Sequence, residues 1–317
     1  MKKRIFLGLI YVIFIVFIVP SFVVFIRKNP KQKPARESFE TVKVYVTQED
    51  KVVEMDTSQY LKEVVGAEMP AAFNVEALKA QAVAARTYLC AKKDGQRAEE
   101  HKGAYVCTDY NHCKAWKSEA DLKSAWEPDQ ADDNWRKISN AVESTAREIV
   151  TYNSKPISAV FHSTSSGRTE NAEDVWEFQV PYLKAVESKG DEQSPKFNDS
   201  KVFDIEEFKR LISANIDNTD WNNGLFSDIQ RSESGGIKTI RVGNVEIKGT
   251  TLRKILDLRS TNAELTADDK NVTITTKGYG HGVGMSQYGA NFMANSGSDY
   301  KAILLYYYQN TMVELTK

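Results

Sequence analysis

The feature that most constrains this chain is residues 60–93, YLKEVVGAEMPAAFNVEALKAQAVAARTYLCAKK, where a proline separates one helical pattern from a second, alanine-dense one. Pro70 bars Met69 from the α region, so a first short helix over residues 59–67 ends near Glu68. A second helix begins close to Asn74, a good N-cap, with Glu76 in its electropositive first turn. At about 100° per residue, Leu78, Ala82, Ala85 and Leu89 share one face, widened by Ala77, Ala84 and Tyr88. So much alanine lets neighbouring backbone come close. Lys79 and Arg86 lie a heptad apart on the opposite stripe, about 10 Å from one another along the axis. Gln81 falls inside the apolar arc, where its amide needs hydrogen-bond partners. Pattern alone reads these groups either as solvated surface, a core amide and a helix-end carboxylate, or as parts of one site.

Ahead of this stretch, Met-Lys-Lys-Arg leads into an uncharged apolar run over residues 5–26. About 20 residues at 1.5 Å each cross a ~30 Å hydrocarbon layer, and no small-x-small cleavage site follows. The expected organisation is a cytoplasmic stub (1–4), a single transmembrane signal-anchor (5–26), a Pro- and Lys-bearing linker (27–38) and an extracytoplasmic domain (39–317). With 42 basic against 43 acidic side chains, nothing points to nucleic acid.

The polar loop of residues 94–117 carries His101, Cys107 and Cys113, a His-x5-Cys-x5-Cys spacing. Three such ligands suit zinc, in a structural role that pins the loop. His112 and Asp109 are candidates for a fourth ligand, although ligation by His112 beside Cys113 would strain the loop. A Cys107–Cys113 disulfide and unlinked side chains are the competing readings.

Further along, residues 131–147 show helical spacing, and residues 148–152 with 156–162 read as a hairpin around Asn153-Ser154-Lys155. Residues 188–203 read as a turn-rich excursion. Asp204 caps a helix, strands follow at 226–231 and 237–242, then a helix over 251–258 and a hairpin of 263–266 with 272–276. That hairpin delivers Gly278-Tyr279-Gly280-His281-Gly282-Val283-Gly284-Met285-Ser286-Gln287, whose alternating glycines leave room for an extended ligand. A helix opens at Ser286-Gln287, another spans 299–308, and a strand closes the chain at 311–315. No Gly-Lys-Ser/Thr or dinucleotide spacing accompanies the glycines, which excludes a phosphate cradle.

Glu68-Met69-Pro70 and residues 76–88 resemble, without a gap, the signature of the stage II sporulation protein D and amidase-enhancer family. So do His162-Ser163 with a following glycine, Val175-Trp176, Pro181-Tyr182-Leu183 and the glycine-rich run. The resemblance implies a membrane-anchored lytic transglycosylase acting on peptidoglycan glycan strands during engulfment in endospore formation, with Glu68 as its catalytic acid. It implies the septal or engulfing membrane of the mother cell as location, and the amidase SpoIIP and the membrane protein SpoIIM as partners. Lys79, Gln81, Arg86, His162, Ser163, Tyr182, Lys184, His281 and Gln287 become candidates for contacts to substrate, with His281 a weaker candidate for a second acid or base. A non-catalytic amidase enhancer and a zinc hydrolase are the alternatives. The expected fold is α+β: a helical lobe carrying Glu68 packed on antiparallel strands and hairpins, with the cleft between them.

Overall fold

A computed structural model of the chain describes residues 40–94, 101–110 and 112–316. The expected stub, signal-anchor and linker lie outside the described residues. Among those that are described, no helix is long and apolar enough to cross a membrane.

Val42, Val44 and Val46 alternate inward along β1 (Thr41–Val46), which pairs antiparallel with β2 (Lys51–Asp56). Asp56 then caps α1 (Thr57–Glu68), its carboxylate accepting the Gln59 N–H at 2.8 Å. Pro70 acts as its type requires: Met69 is extended, and its N–H closes the helix on Val65 O. Asn74 Oδ1 accepts from Glu76 N at 3.0 Å as α2 (Val75–Asp94) begins.

Helix α2 is the axis of the first hydrophobic core. Every residue from 80 to 90 is buried, so the helix is enclosed rather than two-faced. The short β3 (Val106–Cys107) lies parallel to β1. After α3 (Glu119–Ser124) comes α4 (Ala131–Ser144), which packs on α2 as the alanines permit. β4 (Glu148–Tyr152) pairs with β5 (Lys155–Pro156) through Asn153 and Ser154, both at positive φ as a tight hairpin turn demands. The expected longer second strand is broken, and β6 (Phe161–His162) leaves the hairpin to pair elsewhere.

Beyond α5 (Ala172–Trp176), a second core forms. β7 (Asn198–Asp204) occupies part of the stretch read as a loop, followed by α6 (Ile205–Ser213), which Asp204 caps. β8 (Phe226–Arg231), β9 (Ile237–Val242) and β10 (Val245–Lys248) form one antiparallel sheet, and α7 (Gly249–Ile255) packs on it. β11 (Ala263–Ala267) and β12 (Asn271–Lys277) join β7 in another. Phe208, Ile212, Ile240, Val242, Val272 and Ile274 fill the space between them.

The chain then returns to the first core. β13 (Met285–Ser286) runs parallel to β6, α8 (Gln287–Asn295) and α9 (Tyr300–Tyr307) pack on α2, and β14 (Met312–Leu315) pairs antiparallel with β4. The fold class is α+β, as expected, with parallel strand pairs at β1–β3 and β6–β13 and one isolated parallel bridge between Glu170 and Val283 among the described residues.

Candidate functional site

Glu68 ends α1 at the proline break, and two elements distant in sequence close on its carboxylate. Ala115 N–H donates to Oε1 at 2.9 Å, and Gln287 Nε2 donates to Oε2 at 3.2 Å. Gln287 is placed by the cap of α8, where Ser286 Oγ accepts from Gly289 N. Burial pushes the Glu68 carboxyl above its ordinary range, while the Lys114 ammonium, the Ala115 N–H and the Gln287 amide pull against it.

Lys114 is the residue sequence reasoning missed. It is buried, with its ammonium 3.7 Å from the Phe161 ring centroid and 4.6 Å from that of Tyr88. Burial pulls its pKa down to about 8 in spite of the nearby Glu68 charge. Nothing in a polar loop marks one lysine as turned inward. Only the adjacent Cys113 hinted that this segment was held.

Of the expected contacts, Gln287 alone is hydrogen-bonded to Glu68. The placement of Arg86 on a polar stripe is corrected. Its side chain is fully buried and donates to Val142 O at 3.1 Å and Glu148 O at 3.3 Å, bracing α4 and β4 with no surface left for a substrate. Lys79 pairs with Glu76 at 2.7 Å and lies near the Tyr300 ring. Gln81 is fully buried, and neither amide atom has a partner among the described residues. Ser163 Oγ lies 3.2 Å from Thr164 Oγ1. The Tyr182 hydroxyl accepts from Ser158 N at 3.1 Å, and Lys184 pairs with Glu173 at 2.6 Å.

His162 and His281 sit side by side, rings 5.5 Å apart, and burial holds both neutral. His162 Nδ1 bonds Val283 O, which leaves its buried Nε2 without a partner among the described residues. His281 Nε2 bonds Phe161 O, and its Nδ1 accepts from Val283 N. Both of its nitrogens are thereby committed to backbone, so the expectation of a second acid or base at His281 is corrected. The glycines beside it serve the protein's own packing. A Cβ at Gly280 would meet His162 Cβ at 2.7 Å, and one at Gly284 would meet Val160 O at 2.2 Å, so the space foreseen for a ligand is filled.

The cysteine loop converges on a point. His101, Cys107, His112 and Cys113 bring four ligand atoms within 4.8 Å of one another. His101 Nε2 and His112 Nδ1 are 2.8 Å apart, Cys107 Sγ lies 3.5 Å from His112 Nδ1, and Cys113 Sγ lies 3.6 Å from His101 Nε2. Tetrahedral zinc with bonds of about 2.0–2.3 Å separates its donors by roughly 3.3–3.8 Å, so the set fits that ion after small adjustments. Both cysteines are free thiols, and His112 joins the cluster despite its adjacency to Cys113. Burial raises the Cys107 thiol pKa, and the neighbouring Cys113 adds to the shift, an arrangement that a bound cation would reverse. Directly after Cys113 come Lys114 and Ala115, so the cluster anchors the segment that touches Glu68.

The chain is similar to known proteins over most of its length. Residues 45–152, which hold Glu68, α2 and the cysteine loop, match a family described as stage II sporulation protein. The chain is 38% identical over 288 residues to stage II sporulation protein D of Bacillus subtilis (strain 168), covering 89% of this chain and 83% of that protein. It is 39% identical over 285 residues to the protein of the same name from Bacillus amyloliquefaciens, covering 90% and 82%. The amidase enhancer of Bacillus subtilis (strain 168) is 28% identical over 302 residues, covering 79% of this chain but 40% of that protein.

Proposed function

Because this chain belongs to the stage II sporulation protein D family, we propose that it is a membrane-anchored lytic transglycosylase of peptidoglycan, acting in engulfment during sporulation. The observation that carries this reading is Glu68, a carboxyl raised by burial and held by two fixed donors, with Lys114 rather than a second carboxylate as the charge that acts on it among the described residues. A hydrolase needs a second carboxylate to activate water or attack the sugar, whereas a transglycosylase recruits its nucleophile from the substrate. Protonated Glu68 gives its proton to the glycosidic oxygen between N-acetylmuramic acid and N-acetylglucosamine. The resulting carboxylate takes the proton of the muramoyl 6-hydroxyl, which closes on C1 and leaves a 1,6-anhydro end. The proton returns to Glu68, and no water is consumed.

Residues 5–26 supply the anchor in this reading, with the folded part outside the cytoplasm. Peptidoglycan glycan strands are the substrate, with SpoIIP removing stem peptides first and SpoIIM completing the membrane assembly. Zinc held by His101, Cys107, Cys113 and His112 pins the loop that presents Lys114 and Ala115 to Glu68. Zinc there has a structural role, since two thiolates blunt its Lewis acidity.

The decisive experiment incubates the full chain with purified strands, peptide-free and peptide-bearing, and reads the products by mass spectrometry. Anhydro ends are expected. Reducing ends one water heavier would overturn the mechanism, and binding without cleavage would make the chain an amidase enhancer.

The acid must be protonated, so kcat/KM is expected to hold at low pH and fall about tenfold per unit above the raised Glu68 pKa. Lys114→Met removes the cation that opposes this shift and should move the alkaline limb to higher pH, measured as a pH–rate profile. An unmoved limb would mean that Lys114 does not act on Glu68. Chelation is expected to lower the thermal midpoint and expose Cys107 and Cys113 to thiol reagents, while lytic activity persists. Abolition of activity with the fold intact would restore the zinc hydrolase.

A further inference from the structure

Helix α5 ends in an unusual way. Its C-cap is Glu177, a non-glycine residue at φ 64°, and this left-handed turn brings Phe178 back beside Trp176. The two rings lie nearly parallel, 17° between planes and 6.2 Å between centroids, and Phe178 is 58% exposed. Trp176 packs in turn on His281, 5.3 Å away. His281 stands beside His162 and feels the charge of Lys114, which also acts on Glu68. Ring contacts thus lead from His162 through His281 to two partly open rings, and the Lys114 charge acts on both His281 and the candidate acid.

Their surroundings are polar and fixed. Ion pairs of Asp174 with Lys238 and Glu177 with Lys248 pin the helix and its end to β9 and β10, and Glu173 pairs with Lys184 of the segment that follows the helix. A cavity of about 350 Å³ adjoins it, lined by these acids, Lys238, Lys248 and Thr250. A single exposed phenylalanine requires no explanation, but stacked, nearly parallel rings at a left-handed turn beside hydrogen-bonding side chains do. Hexosamine rings offer the matching surface: a C–H face for an aromatic plane, and a rim of hydroxyl and acetamide groups for charged neighbours.

We infer that Trp176 and Phe178 form an aromatic shelf on which a hexosamine ring of the glycan strand stacks, at a subsite displaced from Glu68 along the ring contacts through His281. The inference rests on the reading of the chain as a glycan-cleaving enzyme and adds where the strand lies. A displaced shelf touches long strands and not a disaccharide bound at the acid.

Equilibrium binding to the full-length Glu68→Gln form tests this without turnover, using peptide-free strands and a disaccharide as probes. Adding Phe178→Ala, a change at an exposed side chain, is expected to weaken strand binding about 5- to 10-fold and leave disaccharide binding as it was. Strand binding is also expected to perturb a tryptophan emission component that Trp176→Phe removes. Unchanged strand affinity in Phe178→Ala, together with an unperturbed Trp176, would overturn the shelf while glycan binding itself stands. Failure of the Phe178-intact protein to bind any strand would instead overturn the glycan reading, and the shelf with it.

Discussion

Glu68→Gln is expected to lower the rate of anhydro-end formation by about 100- to 10,000-fold while the fold is retained. Glutamine has the same shape and keeps an oxygen for the Ala115 N–H, so the 2.9 Å contact to the loop survives. It has no proton to give the glycosidic oxygen and no basicity with which to accept one from the muramoyl hydroxyl. With one group serving both steps, both are lost together, which places the effect toward the upper end of that range. The comparison is made on purified strands, with anhydro ends counted by mass spectrometry and folding followed by circular dichroism. Retention of more than a tenth of the wild-type rate would assign the acid elsewhere.

Local chemistry made much of the scaffold readable. Pro70, Asn74, Asp204 and Asp299 act on their own neighbours, so the helix boundaries that they set were legible. Strands β8 and β9 appear at the expected residues. β7 escaped notice because its residues, Asn198–Asp204, alternate between exposed and half-buried, and pairing with β12 rather than intrinsic preference makes it a strand. Arg86 escaped for a related reason. Periodicity assigns a charge to the outer face of a helix, yet here carbonyls from α4 and β4 satisfy the guanidinium inside an enclosed one. At the site, Glu68 and Gln287 stood out in sequence runs, whereas Lys114 reaches Glu68 across 46 positions of chain that no local pattern bridges. The glycines were correctly marked as special, but the close neighbour proved to be the protein's own β6 region.

The largest loss of stability is expected from Asp191→Ala, at a residue outside every sequence-derived site. Asp191 is fully buried and its two oxygens accept four hydrogen bonds, from Ser165 N at 2.9 Å and from the hydroxyls of Ser165, Ser188 and Ser286. Ser188 extends the network to the Tyr307 hydroxyl at 2.8 Å. Burial raises the carboxyl's pKa, and these donors oppose the rise. Alanine would leave several buried donors without an acceptor, at about 1–3 kcal/mol each, and roughly 3–5 kcal/mol in total is expected because some of them will rotate to new partners. At roughly 2–4 °C per kcal/mol for a unit of this size, the melting midpoint should fall by about 10 °C. Asp191→Asn keeps the shape and one acceptor, and the serine hydroxyls can turn to accept from its amide, so a smaller drop is expected. The consequences reach the site as well. Ser286 caps α8, and the next residue, Gln287, holds Glu68, so a loosened cap should slow cleavage even below the melting transition. Calorimetry of both variants orders them. A midpoint for Asp191→Ala within about 2 °C of wild type would show that the serines find other partners and that the carboxylate does not hold the loop.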